Sequence, residues 1–96
     1  MNISIKNCGK EYEIVPEGKL DYTNMEEFDA AVSSVLPEAD KIVINMEKTD
    51  YISSAGIRVI IDAFDELETK GGVSLVNCNS LIREIIEMTG LRELLA

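Results

Sequence analysis

The residues best placed to do chemistry in this chain are two adjacent serines, Ser53 and Ser54, followed by Ala55 and Gly56. They come just after an apolar, strand-like run and open a strongly amphipathic helical stretch. Small side chains there let the backbone bend tightly and approach a neighbour closely. A hydroxyl at a helix start can satisfy one of the unpaired backbone N–H groups. Those N–H groups and the helix dipole also favour a negative charge. Ser54 therefore has two readings. One is an N-cap, worth about 1 kcal/mol; the other is an acceptor for a phosphoryl group. Spacing alone favours the cap, and the two are compatible. A nucleophilic serine is a poor third reading. The chain has no histidine to activate it, and Ser54 lacks the Gly-x-Ser-x-Gly elbow. The same lack of histidine removes every His-based metal site or general base.

Composition narrows the partners. The 96 residues allow one domain, 1–96, with 46% hydrophobic and 28% charged side chains, as in soluble globular folds. Nine basic residues against 18 acidic ones give a net charge of −9. That repels nucleic-acid phosphates and anionic membranes and suits a partner with a basic surface. Cys8 and Cys78 form no close-spaced redox or metal motif. With no signal peptide and no bilayer-length apolar run, the expectation is a cytoplasmic protein with free thiols. No cofactor and no metal are expected.

Those serines must be positioned by the elements around them. Ile3 and Ile5, then Glu11 to Val15, alternate as two strands of an antiparallel hairpin, and Pro16 marks an edge or the end of the second. Gly18-Lys19-Leu20-Asp21 reads as a loop. Thr23 and Glu26 have capping-box spacing before a helix over 24–36, stopped by Pro37. Lys41 to Met46 is continuous enough to suggest a central strand covered on both faces. A second helix over 54–69 carries Ile57, Ile60, Ile61, Phe64 and Leu67 as its inward stripe, closed by Gly71-Gly72. Val73 to Val76 is the next strand. Ser80 is expected to cap a last helix through Thr89, with Leu81, Ile82, Ile85, Ile86 and Met88 as its apolar face. Leu91, Leu94 and Leu95 follow as a closing turn. The order ββαβαβα predicts a single small α/β domain, a mixed four-stranded sheet with helices packed on it. Tyr12, Tyr22 and Tyr51 are read as packing residues.

Tyr51-Ile52-Ser53-Ser54-Ala55-Gly56-Ile57-Arg58-Val59-Ile60, placed after a strand and opening a helix, resembles the signature of STAS domains. More narrowly, it is similar to bacterial anti-sigma factor antagonists. Gly18-Lys19-Leu20-Asp21 matches that family's Gly-x-Leu-Asp segment, and Met88-Thr89-Gly90-Leu91 its tail. The resemblance implies a partner switch. An anti-sigma factor, often itself a serine kinase, binds the unphosphorylated antagonist and releases the sigma factor. Phosphorylation of one serine at this helix start ends the binding, and a serine phosphatase restores it. The family pattern is Asp-Ser-Ser/Thr-Gly with phosphate on the second position, which falls on Ser54 here. Ser53 stands where the family commonly has Asp, so Ser53 is the alternative acceptor.

Partner contacts are expected from Asp21, Ser53, Ala55, Gly56, Arg58 and Val59. Asp21 is either an ordinary turn carboxylate or a contact to the kinase partner, with no ligand cluster around it. At about 100° per residue, Val59 lies off the expected core stripe, beside the serine. Arg58 is either a solvated charge or a rim contact. The protein is read as a regulatory binding module, a substrate of enzymes and not an enzyme, and as a monomer or weak homodimer. The alternative is a STAS scaffold in a larger signalling assembly that is never phosphorylated. A serine-bearing carrier protein is disfavoured by the strands.

Overall fold

A computed structural model describes residues 2–96. Its main sheet holds four strands in the order β1-β2-β4-β6: β1 Ile3–Cys8, β2 Glu11–Pro16, β4 Lys41–Asn45 and β6 Gly72–Val76. The first two form the expected antiparallel hairpin, with Ile5 opposite Ile14. The β2–β4 and β4–β6 pairs are parallel, as crossovers through helices require. The mixed four-stranded α/β sheet is therefore as expected. The helices are α1 Met25–Val35, α2 Ser54–Glu66 and α3 Ser80–Met88.

Two further strands were not anticipated. β3 Gly18–Leu20 and β5 Thr49–Ile52 pair in parallel as a small second sheet. Thr49 secures its lower end. Its side chain is buried, and Oγ1 donates to Pro16 O at 2.9 Å. The N–H of Gly18 also donates to Lys48 O at 2.9 Å.

One hydrophobic cluster joins the elements. Ile14, Ile42, Ile44, Val73 and Leu75 are buried and share one sheet face by register. The opposite-facing Lys41, Val43 and Asn45 are only half-buried, so β4 is not covered equally on both faces. Phe28, Val32 and Val35 of α1 and Ile60, Ala63 and Leu67 of and after α2 complete the core. Ala96 N–H donates to Leu75 O at 3.0 Å, so the chain end ties back to the β6 edge after the 3₁₀ turn Arg92–Leu94.

Several local expectations shift. Asn24, not Thr23, precedes α1, and its side chain makes no cap bond. Asn79, not Ser80, caps α3, with Oδ1 accepting from Ile82 N–H at 2.8 Å. Its Nδ2 donates to Asp50 O at 3.2 Å, which fastens the start of α3 to β5. Leu81 and Met88 are 49% and 79% exposed, because α3 buries only the Ile82–Ile86 line. α2 ends at Glu66, three residues early. Cys78 packs partly against the core, and burial pushes its thiol pKa up.

The Thr49–Pro16 bond generates a direct expectation. Thr49→Val keeps the shape but leaves the Pro16 carbonyl without this buried donor. It should cost about 1–2 kcal/mol in urea denaturation. An unchanged midpoint would show that the bond carries no stability.

Candidate functional site at the start of the second helix

The β3–β5 pairing builds the site. Lys19 lies opposite Tyr51 and Leu20 opposite Ile52, so Asp21 emerges beside the turn that starts α2. The N–H of Ser53 donates to Leu20 O at 2.8 Å and clamps the two segments together. Two stretches far apart in sequence, Gly18–Asp21 and Ser53–Gly56, thus form one surface.

Ser53 holds the N-cap position, at φ −91° and ψ 173°. Ser54 is the first helical residue and is exposed, so the N-cap expected of Ser54 is one residue off. Ser53 is buried, 9% exposed, its side chain makes no cap bond, and its Oγ has no hydrogen-bond partner. The first intrahelical bond runs from Ile57 N–H to Ser53 O at 3.0 Å. The N–H groups of Ser54, Ala55 and Gly56 precede it and face the open end of the helix.

Three of the expected contact residues are not on the surface. Ser53 is buried as described. Gly56 is buried, because here the helix backbone meets the small sheet. A Cβ at Gly56 would lie 3.0 Å from Ile52 Cγ1 and 3.2 Å from Leu20 Cβ. Val59, expected off the core stripe, is only 7% exposed. Conversely, Ile61 and Phe64, expected inward, are half-buried. The reason is helix phase. With Gly56 against the sheet, the buried line runs through Gly56, Ile60, Ala63 and Leu67, and Val59 flanks it.

Asp21, Ser54, Ala55 and Arg58 remain accessible to different degrees. The Arg58 side chain is 75% exposed, with Nε 3.4 Å from Asp62 Oδ1, an i,i+4 pair of little energetic weight. Asp21 Oδ1 accepts from Thr23 Oγ1 at 2.6 Å and from Thr23 N–H at 2.9 Å. These bonds, the hydroxyl first, with a small contribution from Lys19, hold its carboxyl below the ordinary carboxylate pKa. Asn24 Oδ1 accepts from Asp21 N–H at 2.9 Å, and Asn24 Nδ2 donates to Lys19 O. The loop is therefore fixed by its own polar side chains.

Two residues were misjudged from sequence. Tyr22 is 77% exposed and Tyr51 37%, so neither is chiefly a packing residue. Both border this surface, Tyr22 next to Asp21 and Tyr51 on β5. Their position beside turn and hydroxyl residues was the available signal. Among the described residues there is no pocket, no group of three or more acidic or cysteine side chains set to hold a metal, and no helix long and apolar enough to cross a membrane. The arrangement is an open surface without a pocket, with the Ser54 hydroxyl exposed on it.

The model of the STAS domain family matches residues 6–95, nearly the whole chain. The chain belongs to the STAS domain family. This STAS domain is similar to the putative anti-sigma factor antagonist BtrV of Bordetella bronchiseptica, with 28% identity over 76 residues, 77% of this chain. The match spans 66% of BtrV, just under two thirds of its length. Its fold is that of the anti-sigma factor antagonist SpoIIAA in its unphosphorylated form, at TM-score 0.87 and 21% identity over 99% of this chain and 86% of that one. The phosphorylated form of the Bacillus cell-fate determinant SpoIIAA superposes at TM-score 0.79, again with 21% identity, over 99% of this chain and 89% of that one.

Two expectations follow from this STAS domain's geometry. Gly56→Ala should destabilise by about 1–3 kcal/mol, because fully buried Ile52 and Leu20 have little room to yield. Thermal or urea unfolding reads it, and a gain from better helix propensity would show that they do yield. Thr23→Ala removes the main donor to Asp21, so the Asp21 carboxyl should titrate at higher pH by NMR. The sign is that of a depressed acid: its stabilisation is present above the unfolded pKa and is lost as pH falls through the folded one. An unmoved titration would mean that the hydroxyl bond is not the cause.

Proposed function

We propose that this STAS domain is an anti-sigma factor antagonist. In this reading, an anti-sigma factor that is a serine kinase docks on the surface formed by Asp21, Ser54, Ala55 and Arg58. Docking removes that factor from its sigma factor and so regulates transcription indirectly. The kinase transfers the γ-phosphoryl group of ATP to Ser54 Oγ. The hydroxyl proton is lost, and ADP leaves. A phosphatase hydrolyses the ester and returns the free serine and inorganic phosphate. The protein itself does no catalysis.

The observation that carries this reading is the exposure of Ser54 at the first position of α2, within the STAS turn. A kinase needs that hydroxyl uncovered. Ser53, the alternative acceptor, is buried with its backbone bonded to Leu20, which disfavours it. The relatives support the direction: BtrV is named a putative antagonist, and SpoIIAA is described in both unphosphorylated and phosphorylated forms.

The physics of the switch is local. Phosphorylation adds about −1.5 to −2 charges and three acceptor oxygens. At a helix N-terminus that charge is tolerated by the fold. In the interface it adds bulk and repels acidic groups of the partner. Arg58 and the half-buried Ala55 then form the rim that senses it.

Ser54→Ala should retain binding to the anti-sigma factor and accept no label from kinase and ATP. Ser54→Asp should bind at least tenfold more weakly. Isothermal titration and phosphosite mapping by mass spectrometry read these out. Label elsewhere, or equal binding by both variants, would overturn the switch and leave a STAS scaffold that is not phosphorylated.

A further inference from the structure

The main sheet has two edges, and they differ. At the β6 edge the chain end closes the ladder: Leu75 bridges Leu95 in parallel, and Ala96 N–H donates to Leu75 O at 3.0 Å. Nothing among the described residues does the same for β1 at the other edge. The β1–β2 register shows which of its groups are spare. Pro16 has no N–H, so the Ile3–Pro16 pair cannot exchange both bonds, whereas Glu17 N–H donates to Asn2 O at 3.0 Å. Antiparallel pairs alternate between bonded and non-bonded. Ser4, Lys6 and Cys8 therefore bond to β2, and the N–H and C=O groups of Ile3, Ile5 and Asn7 point outward along the open edge. Ile5, opposite buried Ile14, lies on the core-facing side of the sheet and is still 44% exposed. β1 has no proline and no bulge, and its one charge, Lys6, sits opposite Glu13 in the same hairpin.

We propose that β1 is the interface of a homodimer, in which a second copy of this chain adds its own β1 antiparallel to this one across a two-fold axis at Ile5. The register is self-complementary. With Ile5 opposite Ile5 of the second copy, Ile3 falls opposite Asn7 and Asn7 opposite Ile3. Every outward-facing residue then meets an outward-facing one, and each such pair exchanges both of its N–H···O bonds. A slip of the register by two residues leaves Ile3 or Asn7 without an opposite inside β1. On the core-facing side the two Ile5 side chains cover each other. On the other side Lys6 faces Ser4, so no like charges stand directly opposite. The two four-stranded sheets join into one continuous sheet. Each copy carries a net charge of −9, so the copies repel at long range, and the dimer tightens as salt screens them. None of Asp21, Ser54, Ala55 and Arg58 lies on β1, so the pairing is independent of the phosphoacceptor reading.

The test is sedimentation equilibrium of the full chain over a dilution series. A ladder of one strand per copy buries less than a standard interface, so the dissociation constant is expected on the order of 100 µM. The apparent mass should rise with concentration from one chain towards two. Raising salt from about 0.05 M to about 0.5 M should tighten the dimer about threefold. Ile5→Lys and Ile5→Glu each set like charges on the two-fold axis and should stay monomeric, and mixing them in equal amounts should restore the dimer. A circular-dichroism melt checks that both variants are folded. Amide exchange in the unsubstituted protein needs no variant. The Ile5 and Asn7 amides should slow about threefold from dilute to concentrated protein, while Lys6 and Cys8, already bonded to β2, stay unchanged. A protein that remains monomeric at high salt and high concentration, or a dimer that the Ile5 variants leave intact, would overturn the proposal. A monomer whose Ile5 variants lose the anti-sigma factor would assign the edge to a strand of another protein, and would overturn it equally.

Discussion

The close approach of α2 to the small β3–β5 sheet is the constraint from which the rest of the site follows. Gly56 has no side chain, so the first turn of the helix seats against Leu20 and Ile52. The Ser53 N–H then reaches Leu20 O, and Asp21 is held beside the serine turn. Seating Gly56 also sets the helix phase. It turns Ile60, Ala63 and Leu67 inward and Ser54 and Arg58 outward. A larger residue would push the helix off the sheet and separate the two halves of the surface.

The sheet adds rigidity to that contact. The side chains of Thr49, Asn79, Asp21 and Asn24 tie β5, α3 and the β3–α1 loop to backbone atoms around them, and Thr23 Oγ1 donates to Asp21 Oδ1. Under the proposed partner switch, a surface held this way would lose little conformational freedom on docking.

Much of this was legible in the sequence. Periodicity gave the hairpin, the two parallel crossovers and all three helices, because long amphipathic segments report their burial directly. β3 and β5 escaped because three and four residues are too few to show alternation. The phase of α2 escaped for a different reason. Ile57, Val59, Ile60, Ile61 and Phe64 make two adjoining apolar faces, and the residue that chooses between them is Gly56, which no hydrophobic pattern registers. The resemblance brought Asp21 to the serines, but the exposure of Tyr22 and Tyr51 depends on tertiary packing that composition does not encode.

The distinction between the two serines is a consequence of helix geometry. At the cap the chain is extended, with Ser53 at ψ 173°, and the side chain is buried. One residue later the backbone is helical, and the side chain of Ser54 points to solvent. The register of the helix start, fixed by Gly56 two residues on, therefore decides which hydroxyl an enzyme could reach. An insertion of one residue between Ser54 and Gly56 would therefore move Ser54 into the cap position.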